Sequence, residues 1–364
     1  MVASGCQLGY NIITLESRMN IQKNILIYSF LLLIFYKYAY SQTFISAIEA
    51  PDFDRWMYPF NGSIGDREVA STFSSIGGGY EIFDDRDAQI LLGFITSEVV
   101  PVGLGAANYD IVEATLQISI SNEGNVYDPT TDPWQSYLVD GSEEDEDAGR
   151  PIELFGAAFR GGFNGWTFGE TGPFPFGAVR RERNVYPICF DGTMEHIDVS
   201  NNVLDEFQPE SFAVGVTSEV AAGEMMPTET VLSFVIDVTN PDIQCYLRSS
   251  FNEGLLSFVV SSLHEAQEPG LRNDRGLIQP NFHMKESWAV YFGIADAAQI
   301  SFTVIADEAT SVPEDLDGDG FVGVSDILFA LGDWGFCSCC LSDLNADGEV
   351  NVSDLLAIIA AWGS

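Results

Sequence analysis

Residues Asp315–Asp326 read DLDGDGFVGVSD, and residues Asp343–Asp354 read DLNADGEVNVSD. Aligned at an offset of 28, Asp315–Gly335 and Asp343–Gly363 agree at eleven of twenty-one positions, so the chain carries an internal repeat. Each copy places oxygen-bearing side chains at loop positions 1, 3 and 5: Asp315, Asp317 and Asp319, then Asp343, Asn345 and Asp347. A glycine follows in each (Gly320, Gly348), and an aspartate closes position 12 (Asp326, Asp354). Carboxylates crowded in this way repel one another unless a dication neutralises them. A hard cation takes about six to eight oxygens, and alternate side chains wrapped round a point supply them. Position 6 must turn sharply, which glycine permits. Position 7 gives its backbone carbonyl (Phe321, Glu349), and position 9 (Gly323, Asn351) acts directly or through water. The expectation is two calcium sites, in a segment that is loose without the ion because binding and folding are coupled.

Behind each loop runs an apolar helical pattern: Ile327, Leu328, Leu331 and Trp334, then Leu355, Leu356, Ile359 and Trp362. Ser325 and Ser353 are placed to start these helices, each followed by an aspartate suited to the positive helix end. No helix is available before Asp315, so the unit is loop then helix, twice, unlike an ordinary EF-hand pair. With Asp rather than Glu at position 12, residues 315–363 resemble the type I dockerin repeats of secreted bacterial proteins. That resemblance implies a small α-helical module holding two calcium ions. In dockerins that bind cohesins, positions 10 and 11 carry much of the recognition. Here these are Val324-Ser325 and Val352-Ser353, identical in both copies, which implies a cohesin-like partner able to dock in two orientations. The intervening FCSCCLS departs from the family, and a calcium-stabilised attachment or assembly tag is the alternative.

The rest of the chain bears on the compartment. MNIQKNILIYSFLLLIFYKYAYSQ, beginning at Met19, has a basic residue, an apolar run and then Ala39-Tyr40-Ser41. This reads as a secretory signal (residues 1–41) with Gln42 as mature start, because the apolar run falls short of the ~20 residues of a membrane span. Secreted, extracellular or cell-surface localisation follows, with no span in the mature form. The net charge of −39, from 54 acidic and 15 basic residues, opposes nucleic acid as a partner. With 46% apolar residues the chain is nonetheless a folding one. In an oxidising compartment Cys189 and Cys245 can bridge, and two of Cys337, Cys339 and Cys340 can close a loop.

Residues 42–308 read as mainly β. QILLGFITSEVV, VEATLQISIS, VLSFVIDVT, GLLSFVVSS, WAVYFGIA and AAQISFTVIA are strand-like runs separated by Gly and Pro clusters, and no helix of three turns is evident. Residues 121–227 fit this rhythm less well and read as an insertion; 309–314 read as a linker. The expected fold is an antiparallel jelly-roll-like β-sandwich followed by the loop–helix module. DDRDAQILLGFITSEV, VEATLQISI and VIDVTNPDIQCYLRSSFNEGLLSFVVS resemble DNRLRE-type secreted sandwiches, with Tyr246 near where a Trp is usual. That resemblance implies a non-catalytic wall, stalk or carbohydrate-binding role.

The acidic run DGSEEDEDAGR reads as a solvated loop or a further calcium site. The aromatic stretch FGAAFRGGFNGWTFGETGPFPFG reads as core or as a stacking surface for sugar rings. No zinc or nucleophile-elbow motif occurs, His196, His264 and His283 are scattered, and no residue stands out as catalytic. The leading expectation is a secreted non-catalytic surface, adhesion or polysaccharide-binding protein with a calcium-dependent tail. The alternatives are a polysaccharide-degrading glycoside hydrolase or lyase on the same tail, and a structural surface-layer component.

Overall fold

The computed structural model describes residues 41–363, except 62–64, 66, 76–83, 139–146, 175–181, 193–194, 266–277, 308–311, 318, 338 and 346–347. All of the signal region 1–41 except Ser41, most of the acidic run and half of the linker 309–314 therefore lie outside the described residues. In chain order the body contains β1 (Ser41–Ile48), β2 (Phe53–Met57), β3 (Val69–Ser71), β4 (Phe73–Ser74), β5 (Arg86–Ile95), β6 (Tyr109–Ser119), β7 (Ile152–Phe159), β8 (Val185–Phe190), β9 (His196–Asp198), β10 (Ala213–Val214), β11 (Val231–Val235), β12 (Leu255–Ser262), β13 (Asn281–His283) and β14 (Gln299–Asp307). Helices α1 (Gly165–Phe168), α2 (Pro241–Glu253) and α3 (Trp288–Tyr291) lie between strands. One antiparallel sheet has the order β1-β14-β6-β11, and the other β2-β5-β12-β7-β8-β9, with β10 on β7 and β4 on β5. Gln42, the expected mature start, is the second residue of β1 and pairs with Ala306. The stretch 121–227 contributes β7 to β10, so it is built into the second sheet.

Side-chain alternation explains how the layers stack. In the first sheet Ile111, Ala114, Leu116, Ile300, Phe302 and Val304 point inward, while Asp110, Glu113 and Gln117 face solvent. A bulge at Thr303/Val304 pairs these residues with Glu113 and Ile111. Val112 is left as the extra residue, so two consecutive side chains, Val112 and Glu113, face outward. The central strands of the second sheet are covered on both faces. Ile90, Leu92, Phe94, Leu256, Phe258 and Val260 enter the core between the sheets. Their neighbours Leu91, Leu255 and Val259 join Phe53, Met57 and Phe168 in a second core on the far side. This is why β5 and β12 are near-continuous apolar runs rather than alternating ones.

The far face also holds buried charge. The segment Asp84-Asp85-Arg86-Asp87 is at most 1% exposed. Arg86 pairs with Glu153 at 2.6 Å, and Arg183 pairs with Asp84 at 2.7 Å and Asp87 at 2.6 Å. Asn202 accepts from Arg86 Nε, and Asn201 donates to Asp84. The network joins β5 to β7 and to the segments before β8 and after β9.

Three expectations are corrected. TNPDIQCYLRSSFNEG forms α2, a helix of 13 residues. Asn240 caps it by accepting from the amides of Asp242 and Ile243, Pro241 takes the first turn, and Gly254 ends it at φ 82°. Ile243, Leu247 and Phe251, four apart, seat one face on the main core. Tyr246 lies on this helix, and its hydroxyl accepts from Ala157 N and donates to the Ser257 carbonyl. WAVYFGIA is not a strand either: Ser287 caps α3 there, and Gly293 turns the chain at φ 66°. Finally, Cys189 and Cys245 do not bridge. Cys245 on α2 bonds to Cys339, Cys337 bonds to Cys340, and Cys189 is a buried free thiol pushed up to about 11 by burial. The Cys245–Cys339 bond ties the C-terminal segment to the sandwich.

Glu153→Ala would strand Arg86 in the interior and is expected to cost about 3–5 kcal/mol, read by denaturant unfolding. An unchanged midpoint would remove the network from the account of stability. His264, buried and 3.1 Å from the Ser262 hydroxyl, is held down at about 3 by burial and by the charge of Arg150. The unfolded chain protonates this imidazole near pH 6.5 while the folded chain does not, so stability falls as pH drops from 6.5 towards 3. His264→Gln should flatten that slope in thermal melts across the same window.

Candidate metal centre

The C-terminal segment consists of two loops, each followed by a helix: α4 (Val324–Gly332) and α5 (Val352–Ala360). Between them β15 (Gly335–Phe336) pairs with β16 (Glu349–Val350). Leu316, Val322, Ala330, Val350 and Ile358 form a core of their own, with Ile327, Leu344 and Leu355 packed against it.

The two loops close by the same hydrogen bonds. Asp326 Oδ1 accepts from the amides of Leu316 (2.8 Å) and Asp317 (3.3 Å), and Asp354 Oδ1 accepts from Leu344 (3.0 Å) and Asn345 (3.4 Å). Asp326 Oδ2 takes the amide of Gly323 (2.7 Å), and Asp354 Oδ2 that of Asn351 (2.8 Å). At position 1, Asp315 Oδ2 accepts from Gly320 N (2.8 Å), and Asp343 Oδ2 from Gly348 N (2.9 Å). Gly320 and Gly348 sit at φ 88° and 87°, a conformation that costs other residues strain. The halves also reach across to each other in matching fashion. Gly363 N donates to the Val322 carbonyl at 3.0 Å, and the residues 28 positions away, Gly335 and Val350, are β-paired.

Ser325 and Ser353 do not cap the helices. The caps are Gly323 and Asn351, two residues before the serines. Asp326 and Asp354, three residues into each helix, bond back to the cap amides, so one carboxylate both closes the loop and starts the helix. Burial pushes the Asp326 carboxyl up, and the amides of Gly323, Asp317 and Leu316 outweigh that and hold it below its ordinary value.

Carboxylate oxygens of Asp315, Asp317 and Asp326 lie within 4.8 Å of one another. Asp315 Oδ1 is buried and has no hydrogen-bond partner. A buried carboxylate oxygen left in this way is costly unless a cation or proton meets it, so the donor set fits a hard cation. Asp319, at position 5, is exposed and accepts from Phe321 N at 2.8 Å. In the second loop Asp343, Asn345, Glu349, Asn351 and Asp354 follow the same course, while Asp347 lies outside the described residues.

Of the apolar helix residues, only part is buried. Ile327 and Leu355 pack inward, whereas Leu328 (62% exposed) and Leu331 on α4, and Leu356 and Ile359 on α5, are exposed. Val324, Val352, Trp334 and Trp362 are exposed as well.

Two further carboxylate groupings occur, one touching the acidic run that the sequence offered as a further calcium site and one with no sequence signal. Asp128, Asp132 and Asp147 come within 4.8 Å, the last being the described end of the acidic run; burial pushes Asp128 up to about 6. Asp54, Glu170 and Glu286 form the other. The phenylalanines of the aromatic stretch are mostly core: Phe155 and Phe168 are buried and Phe159, Phe163 and Phe174 pack against the second core, while Trp166 is 47% exposed and Phe176 lies outside the described residues. A larger exposed aromatic surface lies at α3, where Trp288, Tyr291 and Phe292 are 60–77% exposed with ring centroids 5.1–5.9 Å apart.

No protein-family model matches the chain, and no curated protein matches it. Among the described residues, no helix is long and apolar enough to cross a membrane.

Asp326→Ala leaves three loop amides without an acceptor and is expected to destabilise the C-terminal segment by about 2–4 kcal/mol. Hydrogen exchange of the α4 amides reads this directly, and unchanged protection would end the closure role assigned to Asp326.

Proposed function

We propose that this is a secreted, non-catalytic β-sandwich protein that presents a glycan-binding or adhesive body and is attached or assembled through a calcium-loaded, dockerin-like tail. The observation that carries the tail reading is the paired closure of the two loops around position 1 and position 12 aspartates, with Asp315 Oδ1 left buried and unbonded. Asp315, Asp317, Asp319, Asp326 and the Phe321 carbonyl would hold one calcium ion. Asp343, Asn345, Asp347, Asp354, the Glu349 carbonyl and Asn351 would hold the second. When bound, calcium neutralises the loop carboxylates and so fixes the position of each helix start.

The partner surface follows from what the helices leave uncovered. Val324, Leu328 and Leu331 on α4 are matched by Val352, Leu356 and Ile359 on α5, with Ser325 and Ser353 beside them. A soluble tail that exposes two matching apolar rows supports a docking role, in either of two orientations, for a cohesin-like module. For the body, exposed Trp288, Tyr291 and Phe292 offer ring faces on which the C–H faces of sugars can stack.

Calcium titration of the full chain tests the tail. Asp326→Asn combined with Asp354→Asn should remove two sites, and chelation should remove the far-UV circular dichroism of the nine-residue helices α4 and α5. Helicity that persists unchanged in chelator would overturn the folding-coupled tail. A glycan array with Trp288→Ala and Tyr291→Ala, run beside a polysaccharide turnover screen, tests the body. Binding lost in the variants supports the reading, and turnover would replace it with an enzymatic one.

A further inference from the structure

The sandwich itself carries a third grouping of carboxylates, distant in sequence from both tail loops. Asp54 stands on β2, Glu170 follows α1, and Glu286 precedes α3. One carboxylate oxygen from each lies within 4.8 Å of the others. The Asp54 side chain is 1% exposed.

Every cationic and amide contact falls on part of this set and leaves the remainder bare. Asp54 Oδ2 accepts from Lys285 N at 2.7 Å. Glu170 Oε2 accepts from Lys285 Nζ at 2.7 Å and from Asp54 N at 3.3 Å. Lys285 Nζ lies 3.8 Å from Glu286 Oε1 and 3.7 Å from Asp54 Oδ1, beyond hydrogen-bond reach, and its other bond goes to the Asp52 carbonyl at 2.9 Å. Asp54 Oδ1, Glu170 Oε1 and Glu286 Oε2 are all buried atoms with no hydrogen-bond partner. Orphaned oxygens in one place are rare in native proteins and call for an occupant. Lys285 and, through its attraction to Glu170, Arg55 offset only part of the charge of three carboxylates, and the negative charge that remains favours a divalent cation.

We propose that Asp54, Glu170 and Glu286 form a third hard-cation site, occupied by calcium, which pins β2 to the segments carrying α1 and α3. An oxygen-only donor set in a partly solvated pocket suits calcium, with water completing its shell. In the ion's absence, burial and the charge of Glu286 push the Asp54 carboxyl up to about 7, so a proton is the competing occupant. Because α3 carries the exposed Trp288 and Tyr291, the ion would also fix the base of that aromatic surface.

The test uses the full chain stripped with chelator and titrated with calcium chloride alone, the bound metal being counted by calorimetry and by elemental mass spectrometry. Asp54→Asn, which keeps the bond to Lys285 N, should bind one ion fewer than wild type. Glu286→Gln, at a partly exposed position, should do the same. The tail variant Asp326→Asn with Asp354→Asn should retain one ion, and adding Asp54→Asn should abolish it, which separates this site from the tail loops. Thermal melts supply an independent sign: Asp54→Asn melts at or above wild type in chelator and below it in calcium. Equal stoichiometry in Asp54→Asn and wild type overturns the site and leaves the proton as sole occupant, and so does the absence of that crossover.

Discussion

Cations are scarce in this protein, and where they go decides how it is built. Only 15 basic residues face 54 acidic ones, and eight of the 15 are among the described residues. Six of these eight form ion pairs: Arg86, Arg150, Arg160, Arg183, Arg248 and Lys285. The other two lie over rings, Arg55 on Phe168 and Arg67 on Trp56. Arg86 and Arg183 are spent on the interior, where an unpaired carboxylate would cost most. The three carboxylate groupings differ in this respect: Asp132 of one pairs with Arg150 at 2.8 Å and Glu170 of another with Lys285 at 2.7 Å, whereas Asp315, Asp317 and Asp326 come together with no arginine or lysine paired to them among the described residues.

The second sheet depends on that distribution. Because β5 and β12 are covered on both faces, side chains on the far face cannot reach solvent. Most of that face is closed by apolar packing under Phe53 and Phe168. Its remaining polar end, at Asp84–Asp87, is closed by guanidinium groups that arrive from β5 itself and from Arg183 just before β8. The run from Asp84 through β5 is thus one continuous buried element, held by charge pairing at one end and by dispersion along the rest. Surface ion pairs such as Arg248–Asp110, at 3.4 Å and largely solvated, add little by comparison.

What could be read in advance depended on whether the signal was local. The loops were legible because ligand spacing, glycine and closing aspartate all fall within twelve residues, and the amide contacts of Asp326 and Asp354 realise that spacing. Most strand runs were legible for a similar reason. The helix α2 was missed although Asn-Pro-Asp and Asn-Glu-Gly bracket it, since its polar Gln244, Arg248 and Asn252 mask a face that only Ile243, Leu247 and Phe251 complete. WAVYFGIA was misread because apolar content without alternation does not distinguish a strand from an exposed turn of helix. The Asp54, Glu170 and Glu286 grouping had no local signal at all: its members are joined by tertiary packing across more than a hundred residues.

The cross-link from Cys245 to Cys339 joins these two scales. It fixes the segment between the repeats to α2, whose other face lies on the main core, so the tail is anchored at its midpoint as well as through the linker 309–314. An anchor at the midpoint restrains both repeats alike, and leaves the matched outer rows of α4 and α5 uncovered. On the proposed reading, load from a partner docked on the tail would enter the sandwich through this disulfide and α2. On the same reading, calcium would order the two loops, and with them the exposed rows of α4 and α5, on a segment already cross-linked to the sandwich.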